Sequence, residues 1–213
     1  MNKLLVELYG NILGFLTLVI ERYDRSNDVE GSRIHQEDFN QALGTEGSEK
    51  YQEYGGKVSA KRIAETISRF CNNDDVEKFA SQLIFAIAIG NLDMHAKNIS
   101  VLHMPDEQVI LAPVYDQVPL RHYSIDGKMA LAVGGEYIHA NITIKNIVSE
   151  LLSWRCCSFT GEKETTAIIY SWLETFQNTV NEINPGNNVH PPLKTTIQSF
   201  ISNLLNGKSI GRI

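Results

Sequence analysis

Gly90-Asn91-Leu92-Asp93-Met94-His95-Ala96-Lys97-Asn98 decides the reading of this chain, together with Tyr115-Asp116 further on. Asp93 and Asn98 stand five positions apart, and Asp116 comes beyond two short apolar runs. An Asp, an Asn five residues later and a second Asp past a hairpin is the order in which phosphoryl-transfer sites place a hydroxyl-orienting base and two metal-side oxygens. In that order Asp93 would accept the hydrogen bond, and then the proton, of an attacking hydroxyl. Asn98 would offer its carbonyl oxygen and Asp116 its carboxylate to Mg²⁺, a hard ion that takes oxygen ligands in near-octahedral geometry. Taken singly, Asp93, His95, Asn98 and Asp116 read as caps or turn formers, because short polar side chains bond nearby backbone. It is their joint spacing that carries chemistry.

The flanking segments supply a scaffold in the same order. Residues 76–89 have apolar side chains at Val76, Phe79, Ala80, Leu83, Ile84 and Ile87, a stripe that predicts a buried helix ending at Gly90. Residues 99–104 and 109–113 are short, β-branched runs around Pro105-Asp106-Glu107-Gln108, which predicts a hairpin with a polar turn. Helical spacing recurs over 58–70, 143–153, 162–183 and 192–205, the last beginning at Pro191-Pro192, where proline suits a first turn. Trp154 and Trp172 on these helices read as core, given the area such rings bury. Residues 126–137, with Gly127, Gly134 and Gly135, read as a flexible loop. The fold class expected is mainly α, an α+β arrangement of a helical bundle with a small catalytic-loop hairpin and a short N-terminal hairpin.

The runs GNLDMHAKNIS (90–100), APVYDQVPL (112–120), VIERYDR (19–25) and RIHQEDFNQALG (33–44) together resemble the C-terminal domain of HipA-family toxins, bacterial serine/threonine protein kinases of toxin–antitoxin modules. The resemblance covers roughly residues 18–205 and implies a protein-kinase-like C-lobe that uses ATP and Mg²⁺ to phosphorylate a protein hydroxyl. It implies that Glu21 and Tyr23 form the hinge against the adenine and that Gln36 lies near the ribose. It makes Asp93 the catalytic base, with His95 and Asn98 on the phosphate and metal side and Lys97 facing phosphate or substrate. Tyr115-Asp116 becomes the metal-loop dipeptide, Tyr115 on the nucleotide and Asp116 on the metal. A helix-turn-helix antitoxin is the implied partner.

A complete member of that family carries an N-terminal lobe with a phosphate-covering loop and a lysine, whereas about twenty residues precede Glu21 here. Residues 1–17 resemble the family's opening strand pair, with a Gly10-Asn11 hairpin signal, joined to a C-lobe over 18–213. Loss of one well-placed electrostatic donor typically costs about 10²–10³ in rate, so the expectation is a kinase impaired when alone or completed by a separate N-lobe protein. Two alternatives stand beside it. One is a non-catalytic remnant that binds an antitoxin or a full-length toxin. The other is a small-molecule phosphotransferase, since aminoglycoside-kinase-like enzymes share the Asp and Asn spacing and the later Asp.

Composition removes other classes. The 213 residues carry a net charge of −6 without a basic run, which argues against direct nucleic-acid binding. No run of about 18 apolar residues predicts a membrane span, and Glu7 and Asn11 interrupt the mildly apolar start, so a cytoplasmic protein is expected. Cys71, Cys156 and Cys157 are an odd, poorly spaced set and read as reduced fillers. His103, His122, His139 and His190 are scattered and read as structural or exposed.

Overall fold

The computed structural model describes residues 6–12, 15–20, 22–26, 31, 33–45, 52–55, 57–123, 126–183 and 191–212. In chain order these form β1 (Val6–Ile12), β2 (Phe15–Ile20), β3 (His35–Asp38), α1 (Phe39–Ala42), α2 (Gln52–Gly55), α3 (Ala60–Phe70) and α4 (Asn73–Ile89). Next come β4 (Ser100–His103), β5 (Val109–Leu111), β6 (Lys128–Val133), β7 (Glu136–Ile138), α5 (Ile144–Ser153), α6 (Glu162–Glu182) and α7 (Pro191–Leu205). The strands make three small antiparallel sheets, β1-β2, β3-β4-β5 and β6-β7.

Helix α4 is the axis of the core. All six residues of its stripe are buried, and so are Ala86 and Ala88, so its last turns are enclosed on nearly every side, as an all-round apolar sequence requires. It packs against α3, α6, α7 and β5. It begins three residues before the stripe, with Asp74 and Asp75 in the first turn, where carboxylates meet the positive end of the helix dipole. Asp75 is fully buried; one oxygen binds Lys78 at 2.6 Å and the other accepts from the Leu111 N–H at 3.3 Å, which ties the start of α4 to β5. Above the helix, Trp154 stacks on Phe79 with ring centres 5.2 Å apart, and Glu150 accepts from Trp154 Nε1 at 3.0 Å.

The helices over 58–70, 143–153, 162–183 and 192–205 are present as α3, α5, α6 and α7, each within two residues of its expected bounds. Ser59 and Thr143 supply the N-caps of α3 and α5. The hairpin expected over 99–113 is β4-β5, with Val101 opposite Leu111 and His103 opposite Val109.

Two expectations change, and one strand is new. Residues 126–137 are not a flexible loop but the β6-β7 hairpin, in which Met129 to Val133 are buried. Gly134 and Gly135 both have positive φ, 56° and 83°, which makes them a tight hairpin turn whose twist matches the strands. Gly134 donates its N–H to Glu150 at 2.9 Å, so the turn is fastened to α5. The N-terminal turn is not at Gly10-Asn11: both lie inside β1, and β2 begins at Phe15. Pairing shifts between Tyr9, opposite Thr17, and Ile12, opposite Phe15, so Gly10 and Asn11 occupy an irregularity of the kind glycine favours. Finally, β3 joins β4 as a third strand, with Gln36 opposite Leu102 and Asp38 opposite Ser100.

The histidines divide as their surroundings dictate. His103 Nε2 lies 2.9 Å from Glu37 at the surface, and His190 lies outside the described residues. His139 is fully buried, and its Nε2 donates to the Ile87 carbonyl of α4 at 2.8 Å. Burial, with a smaller push from Arg121, holds the His139 imidazole down to about 4 against the opposing pull of that hydrogen bond. An unfolded histidine takes its proton near pH 6.5. The stabilisation from keeping His139 neutral is therefore complete above that pH and is lost as pH falls from about 6.5 towards 4.

The packing of α4 sets the expected outcome of two measurements. Urea denaturation at pH 7 and pH 5 should show His139→Gln losing about 1–2 kcal/mol less on acidification than the wild type. Gly90→Ala would place its Cβ 2.7 Å from Arg121 Cβ at a φ of 75°. Thermal melting should show it destabilised by about 2 kcal/mol or more, roughly 4–8 °C in Tm.

Candidate active site

The site begins where α4 stops. Gly90 turns the chain with φ 75°; its N–H meets Ile87 O at 3.2 Å, and the Asn91 N–H meets Ala86 O at 2.8 Å, a closure that satisfies helix-end carbonyls and needs a residue at ease with positive φ. The chain leaves the helix as a polar loop directly over an apolar core.

Asn91, at 0% exposure, organises the loop beyond the cap. Its Oδ1 accepts from the Asp93 N–H at 3.0 Å, while its Nδ2 donates to Asp116 O at 3.4 Å and Gln117 Oε1 at 3.1 Å. Gln117 Nε2 in turn donates to Tyr115 O at 3.2 Å. One buried amide therefore fixes the loop of Asp93 against the loop of Asp116. The Arg121 N–H on Gly90 O and the Ala130 N–H on Leu92 O, both 2.8 Å, bind the same loop to the segment after Asp116 and to β6.

Within the loop, the Asp93 carbonyl accepts from the His95 N–H at 2.8 Å and from Asn98 Nδ2 at 2.9 Å. Because a carbonyl can only accept, the Asn98 amide nitrogen must face it, which leaves Asn98 Oδ1 as the atom available to a cation. The Asp93 side chain is 40% exposed, whereas His95 is buried behind it with Nε2 3.7 Å from Asp93 Oδ1. Lys97 is exposed. Asp116 is exposed with φ 52°, a left-handed conformation that Asp tolerates better than most residues.

A second group lies on β3 and β4. Tyr23 is half-buried, its ring tilted against that of Tyr115 with centres 6.4 Å apart. Tyr23 Oη donates to Gln36 Oε1 at 3.2 Å, Gln36 Nε2 donates to Ser100 Oγ at 3.0 Å, and Tyr115 Oη donates to Lys97 O at 2.6 Å. Ser100 Oγ and Tyr115 Oη are 2.5 Å apart. Burial pushes the Tyr115 phenol up to about 12, outweighing the opposite effect of its bond to Ser100. Beneath them Ile34, Leu102 and Ala112 form a small apolar cluster with Tyr23, Met104 and Ile110 against it.

The fold thus brings Asp93, His95, Lys97 and Asn98 onto one loop, Tyr115 and Asp116 onto a second tied to it, and Tyr23 and Gln36 into the hydrogen-bonded group beside Tyr115. Glu21 lies outside the described residues. Asn91, Ser100 and Gln117 are site residues that spacing alone did not single out. Asn91 carries a weak signal, a polar residue directly after a helix-ending glycine. Ser100 carries another, a hydroxyl at the start of an otherwise apolar strand. No cluster of three His, Cys, Asp or Glu occurs among the described residues. The donors present, an amide oxygen and carboxylates, are hard oxygens that suit Mg²⁺ with remaining positions filled by phosphate and water.

Residues 9–180 match the family model described as HipA-like C-terminal domain. The protein called "Putative kinase Y4mE" of Sinorhizobium fredii is 41% identical over 122 residues, 55% of this chain and 29% of that protein. "Putative kinase Y4dM" of the same organism is 33% identical over 127 residues, 60% of this chain and 28% of that one. Among solved structures, a chain of the HipA, HipB and operator DNA complex of the Shewanella oneidensis toxin antitoxin system superposes with a TM-score of 0.74 at 20% identity. That match covers 97% of this chain and 51% of the other. The chain thus spans about half the length of the structural relative and less than a third of the two rhizobial ones. No helix among the described residues is long and apolar enough to cross a membrane.

Asn91→Ala should be the most damaging single change in the loop for stability, because it empties a fully buried position and removes three hydrogen bonds at once, those to the Asp93 N–H, the Asp116 carbonyl and Gln117. A loss of about 2–3 kcal/mol, roughly 5–10 °C in Tm, is expected by calorimetry, against about 1 kcal/mol for Asn98→Ala, which removes one partly exposed bond.

Proposed function

The chain belongs to the HipA-like C-terminal domain family, and on that premise we propose that it supplies the phosphoryl-transfer side of an ATP- and Mg²⁺-dependent serine/threonine protein kinase of the toxin–antitoxin type. The observation that carries the reading is the Asn91 clamp, which holds the base loop and the metal loop in one fixed relation through a single buried side chain.

Each residue's task derives from its position. The part-exposed Asp93 carboxylate meets the acceptor hydroxyl, holds it in line and takes its proton as the new O–P bond forms and the bond from the γ-phosphorus to the bridging oxygen breaks, with ADP as the leaving group. His95, buried behind it, limits where that carboxylate can swing. Asn98 Oδ1 and the Asp116 carboxylate would hold the cation, and among the described residues neither is taken up by a bond to the protein. Tyr23 and Gln36 meet the base and ribose over the apolar floor of Ile34, Leu102 and Ala112. Tyr115 flanks the nucleotide, and the exposed Lys97 faces phosphate or the acceptor. Bound MgATP supplies the phosphoryl group and the charge that offsets its transfer.

Kinases also grip the phosphates with a covering loop and a lysine, and we assign that grip to a further segment or to a separate polypeptide. A helix-turn-helix antitoxin is the partner proposed, in keeping with a fold match to a chain solved with HipB and operator DNA. The net charge of −6 supports assigning any DNA contact to that partner. A cytoplasmic setting, where ATP is plentiful, fits the same reading.

Isothermal titration of Mg-ATP into the purified chain tests it. Micromolar binding that weakens at least about tenfold in Asp116→Asn is the expected result. No heat at millimolar Mg-ATP would overturn a nucleotide site in this chain and leave a protein-binding module.

A further inference from the structure

The hydrogen bonds from Tyr23 to Lys97 have only one consistent direction. Tyr115 has a single proton and gives it to the Lys97 carbonyl, which cannot donate. At the 2.5 Å contact Ser100 must therefore be the donor and Tyr115 Oη the acceptor. With its proton spent there, Ser100 can only accept from Gln36, which fixes the Gln36 amide nitrogen towards Ser100 and its oxygen towards Tyr23. Turning that amide over would leave Ser100 and Tyr115 facing each other without a proton. Tyr23, Gln36, Ser100, Tyr115 and the Lys97 backbone form one ordered relay, with Ser100 at its centre and 1% exposed.

The two ends of the relay serve different parts of the site. Tyr23 and Gln36 lie at β3 and its approach. Tyr115 immediately precedes Asp116, whose backbone is held at φ 52°, and its other bond lands on the carbonyl of Lys97, the residue before Asn98. A shift of Gln36 reaches both metal-side residues by way of the Ser100 hydroxyl and Tyr115.

Resting on the reading that Tyr23 and Gln36 meet the base end of a nucleotide, we propose that Ser100 is a positioning residue that couples base-end occupancy to the Asn98 and Asp116 metal site. It touches neither nucleotide nor ion. Its hydroxyl sets Tyr115, and Tyr115 sets the backbone on both sides of the cation.

The test compares affinities for adenosine, ADP without metal and ADP with Mg²⁺ in the full chain, using wild type, Ser100→Ala and Tyr115→Phe. A merely local role for Ser100 would weaken all three ligands alike and leave the Mg²⁺-dependent gain in ADP affinity unchanged. Coupling predicts that this gain shrinks by about fivefold or more in both variants, and that Ser100→Thr, which keeps the hydroxyl, restores it. Tyr115→Phe cuts the relay from the other side with its ring kept, so the result does not depend on one variant folding. A gain retained in both variants overturns the coupling while the nucleotide site stands. Wild type that binds neither adenosine nor MgADP overturns the nucleotide reading and the coupling with it.

Discussion

A helix as apolar as α4 is stable only when enclosed, and enclosing it leaves its end carbonyls out of reach of water. Each must then find a partner within the protein. The Gly90 N–H, the Asn91 N–H and the His139 imidazole meet that need at Ala86 and Ile87, and the geometry of doing so decides where the next eight residues run. The positive φ at Gly90 aims the chain across the helix end, and the Arg121 backbone and Phe200 ring close over the glycine. The candidate active-site loop is the continuation of a helix cap. Its position is inherited from the core.

Asn91 and Ser100, two polar side chains buried by this arrangement, are satisfied in a way that doubles as alignment. Asn91 cannot be desolvated without partners, and the partners it finds are the Asp93 N–H on one loop and the Asp116 carbonyl and Gln117 side chain on another. Ser100 faces the same demand and answers it between Gln36 and Tyr115. In both places the cost of leaving a polar atom unmade, about 1–3 kcal/mol, holds functional segments in register. Asp75 does likewise at the other end of α4, joining it to β5 through the Leu111 N–H.

Regular periodicity made much of this fold legible. The α4 stripe, the helical spacing over 58–70 and 143–153, and the β-branched runs flanking Pro105-Asp106 each carry a local signal that tertiary structure preserved. The signals that failed were those set by distant contacts. Residues 126–137 read as a flexible loop because their strand character depends on the Leu92 carbonyl and on Glu150, far away in sequence. His35-Gln36-Glu37-Asp38 has no strand-like alternation of apolar residues and becomes a strand because β4 offers it an edge. Gly10-Asn11 has the composition of a tight turn, but pairing between Tyr9 and Thr17 continues past it. At the site, the spacing of Asp93, Asn98 and Asp116 was readable in one dimension. The residues that hold them, Asn91, Ser100 and Gln117, were not, since their roles exist only once the two loops meet.

That division has a physical basis. The groups proposed to do chemistry must reach solvent and ligand, and Asp93, Lys97 and Asp116 are exposed or partly so. Groups that position them must be rigid, and Asn91 and Ser100 are buried. An exposed carboxylate makes few contacts that folding depends on, so its replacement removes function and spares the fold. A buried amide shared by two loops serves both, and no substitution separates its contribution to stability from its contribution to alignment. The backbone of Asp116 joins the two classes: its side chain is open to a cation while its left-handed main chain is held by Asn91 on one side and by the Tyr115 relay on the other. A loop residue kept in a sparsely populated conformation persists only where its surroundings over-determine it. Two independent anchors converge on this one, which is what a carboxylate needs if it is to meet a small ion at a fixed place without being buried.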